Sequence, residues 1–200
     1  MALTADVVII GGGVTGTSIA FHLAARGMRD VIVVDKSSVA SGGTGKSSAC
    51  VRQHYTTAET CRMIRFSLDV FQRFEALTGG GSCGFRRTGY LLGVDERMRA
   101  PMEASVALQR GVGIETRLVS PAEMREIEPR LRTEDLTAGC YEPDSGYCNP
   151  AETAQGFARA ARERGARVLE EAEVLTILTQ GGHVTGVLTT KGEIYAPRVV

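Results

Sequence analysis

The feature that most constrains this chain is a cluster of glycines set between two apolar runs. Val7 to Ile10 feeds directly into Gly11-Gly12-Gly13-Val14-Thr15-Gly16, and a second run, Val31-Ile32-Val33-Val34, ends in Asp35. A strand that turns sharply into a helix while leaving room for a pyrophosphate needs glycine at fixed places. Gly11 permits the turn. Gly13 lacks a Cβ, so the backbone can approach the phosphates and the free amides of the helix start, at Val14 and Thr15, can hydrogen-bond them with help from the helix dipole. Gly16 lets the helix pack on the strand. Ile19, Ala20, Leu23 and Ala24 form one apolar helix face, and Gly27 supplies the stop. Asp35 lies 19 positions after Gly16, where a carboxylate accepts from the adenosine ribose hydroxyls and a 2′-phosphate would be repelled. The unit predicts a dinucleotide-binding βαβ fold with NAD or FAD as cofactor.

A chain of 200 residues, 43% of them apolar, can bury a real core and suits one large or two small domains. Lys and Arg number 23 and Asp and Glu 23, with no dense basic run, so there is no electrostatic footprint for nucleic acid or an anionic membrane. Small polar molecules are the expected partners. The start enters the first strand without a basic leader or apolar h-region, and no later stretch is long enough to span a bilayer, which predicts a cytoplasmic protein. Cys50, Cys61, Cys83, Cys140 and Cys148 are odd in number and lack any C-x-x-C pair, so they read as reduced thiols, mostly packing. No metal-ligand or Ser-His-Asp arrangement stands out in the spacing.

Lys36 to Ser48 is a loop of small residues rich in hydroxyls and backbone donors, able to cradle phosphate or a flavin ring edge. Ala40 to Ser47 also approximates a P-loop ending in Gly45-Lys46-Ser47, with Ala40 in place of the first glycine. That rival needs a strand ending directly at the loop, whereas the preceding strand ends five residues earlier at Asp35.

Further on, Ala49 to Tyr55 reads as a short helix carrying Arg52, His54 and Tyr55. Ala58 to Leu77 reads as one amphipathic helix with Met63, Phe66, Val70, Phe74 and Leu77 in the core. Strands are expected at Gly89–Val94, Leu118–Val119, Leu136–Tyr141 and Gly146–Cys148, and helices at Glu96–Arg110 and after Ser120-Pro121, where Ser120 and Glu123 suggest a capping box. Asn149-Pro150 opens a helix to Arg164. Val168-Leu169, Val174–Leu178, Val184–Thr190 and Ile194–Val200 alternate as strands. Glu170, Glu171 and Glu173 read as a solvated charged edge.

Taken together, the chain resembles the N-terminal half of the D-amino-acid oxidase and sarcosine oxidase family of FAD-dependent amine oxidoreductases. The motifs occur in family order: Val8 to Gly16; Val33 to Lys36; Ala40 to Ser48 followed by Arg52 and Tyr55; Thr88 to Leu91; Asp144 to Pro150; and Val184 to Val187 through Ala196 to Val200. The resemblance implies an α/β fold, with a Rossmann-like FAD-binding domain on a parallel sheet plus part of a mixed α+β substrate domain. It divides the chain into a first FAD-binding part (1–84), a partial substrate domain (85–148) and a second FAD-binding part (149–200), and it implies truncation at the C-terminus.

By the same resemblance, Gly11, Gly13, Val14, Thr15 and Gly16 hold the FAD pyrophosphate, and Asp35 and Lys36 hold the adenosine ribose and its neighbours. Gly45, Lys46, Ser47 and Ser48 line the flavin, Val174 offers its backbone to adenine, and Arg52 and Tyr55 face the substrate. Lys46 stands where some members carry a flavin-linked His, so attachment at that position is excluded and FAD is expected to be non-covalent there. The implied reaction is hydride transfer from the carbon beside the amine of an amino acid or N-methylated amino acid to flavin, with oxygen, a quinone or an electron-transfer protein as acceptor. An FAD-dependent 2-hydroxy-acid dehydrogenase and a non-catalytic FAD-binding subunit share the same motifs.

Overall fold

A computed structural model describes residues 3–200. In chain order the elements are β1 (Leu3–Thr4), β2 (Val7–Ile10), α1 (Val14–Ala25), β3 (Val31–Val34), β4 (Cys50–Val51), α2 (Ala58–Gln72), α3 (Phe74–Thr78), β5 (Arg86–Arg87) and β6 (Tyr90–Val94). A 3-10 turn at Glu96–Met98 precedes α4 (Arg99–Gly111), β7 (Arg117–Val119), α5 (Pro121–Ile127), β8 (Ala138–Glu142), β9 (Gly146–Tyr147) and α6 (Pro150–Arg162). The chain closes with β10 (Arg167–Leu169), β11 (Val174–Gln180), β12 (His183–Thr189) and β13 (Gly192–Tyr195).

The described residues form two compact units: one comprises 3–49, 74–84 and 149–200, the other 50–73 and 85–148. Residues 50–73, which the sequence reading placed with the first segment, group with 85–148 because β4 hydrogen-bonds β9 and β9 in turn pairs with β5.

In the first unit, β10, β3 and β2 form a parallel sheet in that order. Parallel pairing needs crossover connections, and α1 and the long return through α6 supply them. Val31, Ile32, Val33 and Val34 are all fully buried, as strands covered on both faces should be. Val8, Ile32 and Val34 pack with Val187 and Ile194 of the second sheet, whose order is β1, β13, β12, β11. Ile9 faces α1, and Phe21 of α1 meets Phe157 of α6 at 5.4 Å between ring centroids. Asn149 caps α6 by accepting from the Ala151 and Glu152 amides, each at 3.1 Å, ahead of Pro150 at the first helical position.

In the second unit, β6, β8 and β7 form an antiparallel sheet with β8 central. Met102 and Val106 of α4 bury against Cys140 of β8. The α5 cap has both halves of its box, with Ser120 and Glu123 reciprocally bonded.

Several expected elements differ. Residues 49–55 contain no helix, because β4 hydrogen-bonds to Tyr147 and Gly146 far along the chain and tertiary pairing overrides local preference. The helix expected over 58–77 is broken at Arg73 into α2 and α3. Its buried positions are Cys61, Leu68 and Val70, while Met63 and Phe66 are 70% and 57% exposed. The periodicity located an amphipathic helix, and the neighbour that packs on it selected a different stripe. Phe74, now in α3, does enter the core, edge-on to Phe157. The last strand ends at Tyr195, and Val199 then bridges Val8 in parallel.

Candidate cofactor-binding site

The glycine turn sits at the carboxyl end of β2, the edge at which open α/β sheets bind ligands. Gly11 has φ +106, a conformation L side chains rarely adopt, and its amide donates to Val34 O at 2.7 Å. At Gly16 the reason for glycine is closeness: a Cβ there would lie 2.0 Å from Gly11 O. Gly13 is the N-cap of α1, offers no side-chain cap, and no acidic residue occupies the first turn. Such a helix start, free of negative charge, suits an anion.

Asp35 is tied into the same turn. Its Oδ2 accepts from the Gly12 amide at 2.6 Å and its Oδ1 from the Ser37 amide at 2.8 Å. Each oxygen keeps a second lone pair for a ligand hydroxyl. In front of it opens a cleft of about 280 Å³ lined by Ile10, Gly11, Val34, Asp35, Lys36, Ser41, Gly42, Ala172, Glu173 and Val174. Gly11, Asp35, Lys36 and Val174 of the expected site thus meet in one cleft. Gly13, Val14, Thr15 and Gly16 lie at the helix start beside the turn and do not line it. Gly45, Lys46, Ser47 and Ser48 are exposed on the following loop and do not line it either.

Three contributors went unread in the sequence. Thr44 Oγ1 accepts from the Val14 amide at 3.0 Å, bringing a loop hydroxyl onto the N-terminus of α1. Glu170 Oε1 accepts from the Val39 amide at 2.7 Å across 131 positions and fastens the loop from below, so this carboxylate is a tie and not a solvated edge. Glu173 also lines the cleft. The Thr44 hydroxyl was visible as one of many in the loop; the two glutamates had no local signal. The P-loop alternative fails on topology, because Ser47 is followed by β4 and not by a helix.

The sequence matches the family model described as DAO, FAD dependent oxidoreductase, over residues 6–200. The chain belongs to this family. The chain is 30% identical to the mouse (Mus musculus) mitochondrial pyruvate dehydrogenase phosphatase regulatory subunit, over 95% of this chain and 22% of that protein. It is likewise 30% identical to human (Homo sapiens) mitochondrial sarcosine dehydrogenase, over 98% of this chain and 22% of that protein. Among solved structures, L-proline dehydrogenase from P. horikoshii superposes with a TM-score of 0.91 at 32% identity, covering 100% of this chain and 52% of that one. The chain therefore spans less than a quarter of these curated relatives and about half of the solved one.

In the second unit, Arg52 is half-buried. Its guanidinium lies 4.8 Å from the centroid of the Tyr55 ring, and Nη1 donates to His54 O at 2.9 Å. The two residues meet across irregular chain, and not as neighbours on a helix face. Among the described residues Arg52 forms no ion pair with a carboxylate. Its plane is held by an aromatic face while part of its fork stays available. Tyr90, in the adjacent strand, has its phenol raised above the ordinary range by burial, against the lowering influence of Arg52. Among the described residues no helix is long and apolar enough to cross a membrane.

Proposed function

We propose that the chain carries the adenosine-diphosphate half of the FAD site, together with part of the substrate-holding segment, of an oxidoreductase acting on amino acids or N-methylated amino acids. The observation that carries the cofactor assignment is the cleft in which Gly11, Asp35, Lys36 and Val174 converge beside the start of α1. FAD fits this donor set. The amides of Thr15 and Gly16 would hold the pyrophosphate, with Val14 acting through Thr44, Asp35 would accept from the ribose hydroxyls, and the backbone at Val174 would meet adenine. The Thr44 hydroxyl, whose oxygen already accepts from Val14, retains its proton to donate to a phosphate oxygen. Gly45 to Ser48 form the exposed loop that meets the flavin end, with Lys46 binding without a covalent link. When bound, FAD supplies the acceptor for a hydride from the carbon beside the amine, and the resulting imine is hydrolysed by water.

Arg52, held against Tyr55, binds the substrate carboxylate with its planar fork and thereby orients the amine-bearing carbon. The amine class is supported by the names of the human sarcosine dehydrogenase and the L-proline dehydrogenase from P. horikoshii. The test is anaerobic mixing of the flavin-loaded natural gene product with secondary amino acids and, separately, with 2-hydroxy acids. Bleaching of the visible flavin band by the amino acids alone is expected. Bleaching by hydroxy acids alone would replace the reading. A flavin bleached by neither class would favour a non-catalytic FAD-binding role, which the similarity to a regulatory subunit keeps in view.

A further inference from the structure

Inside the second unit, strand β8 and the chain just beyond β4 bring together three side chains that the cofactor site does not use. Cys140 lies in the middle of β8, paired with Leu92 on one side and Leu118 on the other, and Glu142 ends that strand. Cys140 Sγ is 3.2 Å and Glu142 Oε1 is 3.6 Å from His54 Nδ1, and the three atoms all lie within 4.8 Å of one another. Cys140 and Glu142 are fully buried, and the His54 side chain is 11% exposed.

The hydrogen bonding around this group is incomplete in a specific way. Glu142 Oε2 accepts from the Gln53 amide and from Ser145 Oγ, each at 2.8 Å, which fixes the carboxylate plane. Oε1 of the same group, directed at the cluster, has no hydrogen-bond partner, and neither has Gln109 Oε1. Gln109 Nε2 donates to Tyr55 O at 3.0 Å and stands 3.1 Å from His54 Nδ1. Two orphaned acceptors beside an imidazole nitrogen and a thiol are a costly arrangement in a buried place, and what they lack is an electrophile.

We propose that His54, Cys140 and Glu142 bind a single divalent ion of the zinc class, which fastens the segment carrying Arg52 and Tyr55 to strand β8. At zinc bond lengths a tetrahedral ion sets nitrogen and sulfur about 3.5 Å apart and nitrogen and oxygen about 3.3 Å apart. The separations of 3.2 Å and 3.6 Å sit on either side of those values. Sγ and Oε1 then close onto the ion. The mixed sulfur, nitrogen and oxygen set selects zinc over magnesium or calcium. A thiolate and a carboxylate cancel the charge of a dication, so the filled cluster is neutral where an unpaired buried charge would be costly. As the sulfur–metal bond forms, the Cys140 proton leaves to solvent. Gln109 competes through Nε2 for the same nitrogen lone pair, so ion binding turns its amide and brings Oε1 toward the fourth position. Through the Arg52 bond to His54 O, the ion would stiffen a segment 86 positions from β8 in sequence.

Cobalt(II) titration of the 200-residue chain, stripped of metal with a chelator, tests this without flavin or turnover. A thiolate-to-cobalt charge-transfer band should rise to one ion per chain, be displaced by zinc and be indifferent to magnesium. Cys140→Ser should abolish the band, and Cys50→Ser, at the exposed thiol, should leave it. Glu142→Gln retains the sulfur and should weaken cobalt uptake by at least about tenfold, which decides the matter even where Cys140→Ser does not fold. A chain with an intact circular dichroism spectrum and no band overturns the proposal in favour of a metal-free hydrogen-bonded cluster. So does a band that survives Cys140→Ser, or one that is lost in Cys50→Ser.

Discussion

The Gly12 amide donates to Asp35 Oδ2 across 2.6 Å, joining the glycine turn to the acid that ends the βαβ unit. The two ends of the cofactor motif therefore position one another before any ligand arrives. Asp35 both shapes the turn and faces the cleft, and a substitution there acts on both.

Asp35→Ala should remove charge-assisted hydrogen bonds contributing about 1.5–3 kcal/mol, which lowers FAD affinity about ten- to a hundredfold. Quenching of flavin fluorescence during titration measures this. Unchanged affinity in a folded variant would detach Asp35 from the ribose.

Gly16→Ala and Gly43→Ala form a contrasting pair. A Cβ at Gly16 meets Gly11 O at 2.0 Å, whereas one at Gly43 meets nothing within 4 Å. Gly16→Ala should cost about 1–3 kcal/mol by overpacking and weaken FAD binding. Gly43→Ala should stay within about 0.5 kcal/mol of the parent. Urea unfolding with and without FAD reads both, and equal stability of the two variants would contradict the close-approach argument.

Arg52→Lys keeps the charge but loses the planar fork held at 4.8 Å over Tyr55. KM for a carboxylated amine should rise far more than KM for a neutral analogue, with kcat less affected. The same change for both substrates would return Arg52 to a structural role.

The α5 cap predicts a pH dependence. Glu123 accepts from the Ser120 amide and hydroxyl at 2.7 Å and 2.9 Å, and these bonds, the amide first, hold its carboxyl below the ordinary range. Because the folded value is lowered, the contribution is present above the unfolded carboxylate value and is lost as pH falls through the folded one. Parent and Glu123→Gln should therefore differ in urea midpoint at about pH 6 and converge toward about pH 3. A difference that persists undiminished at the acid end would remove the carboxylate from the cap.

What the sequence determined by itself was everything specified by neighbours within a turn or a strand. The glycine spacing, the Ser120–Glu123 box and the Asn149-Pro150 helix start were legible, because a positive φ, a close approach and a cap each follow from residue type at one to four positions' distance. The family and its cofactor were legible for the same reason, since the ordered motifs are local. Tertiary structure alone decided the rest. Residues 50–51 became a strand because Tyr147 and Gly146 supply a pairing edge, and Met63 and Phe66 stayed exposed because hydrophobic period defines a helix face without naming what covers it. Glu170 reaches Val39, Thr44 reaches Val14, and His54 meets Cys140 and Glu142 across separations of 131, 30, 86 and 88 positions. Such meetings follow from loop closure and strand register, which the whole chain settles together and no window of sequence encodes.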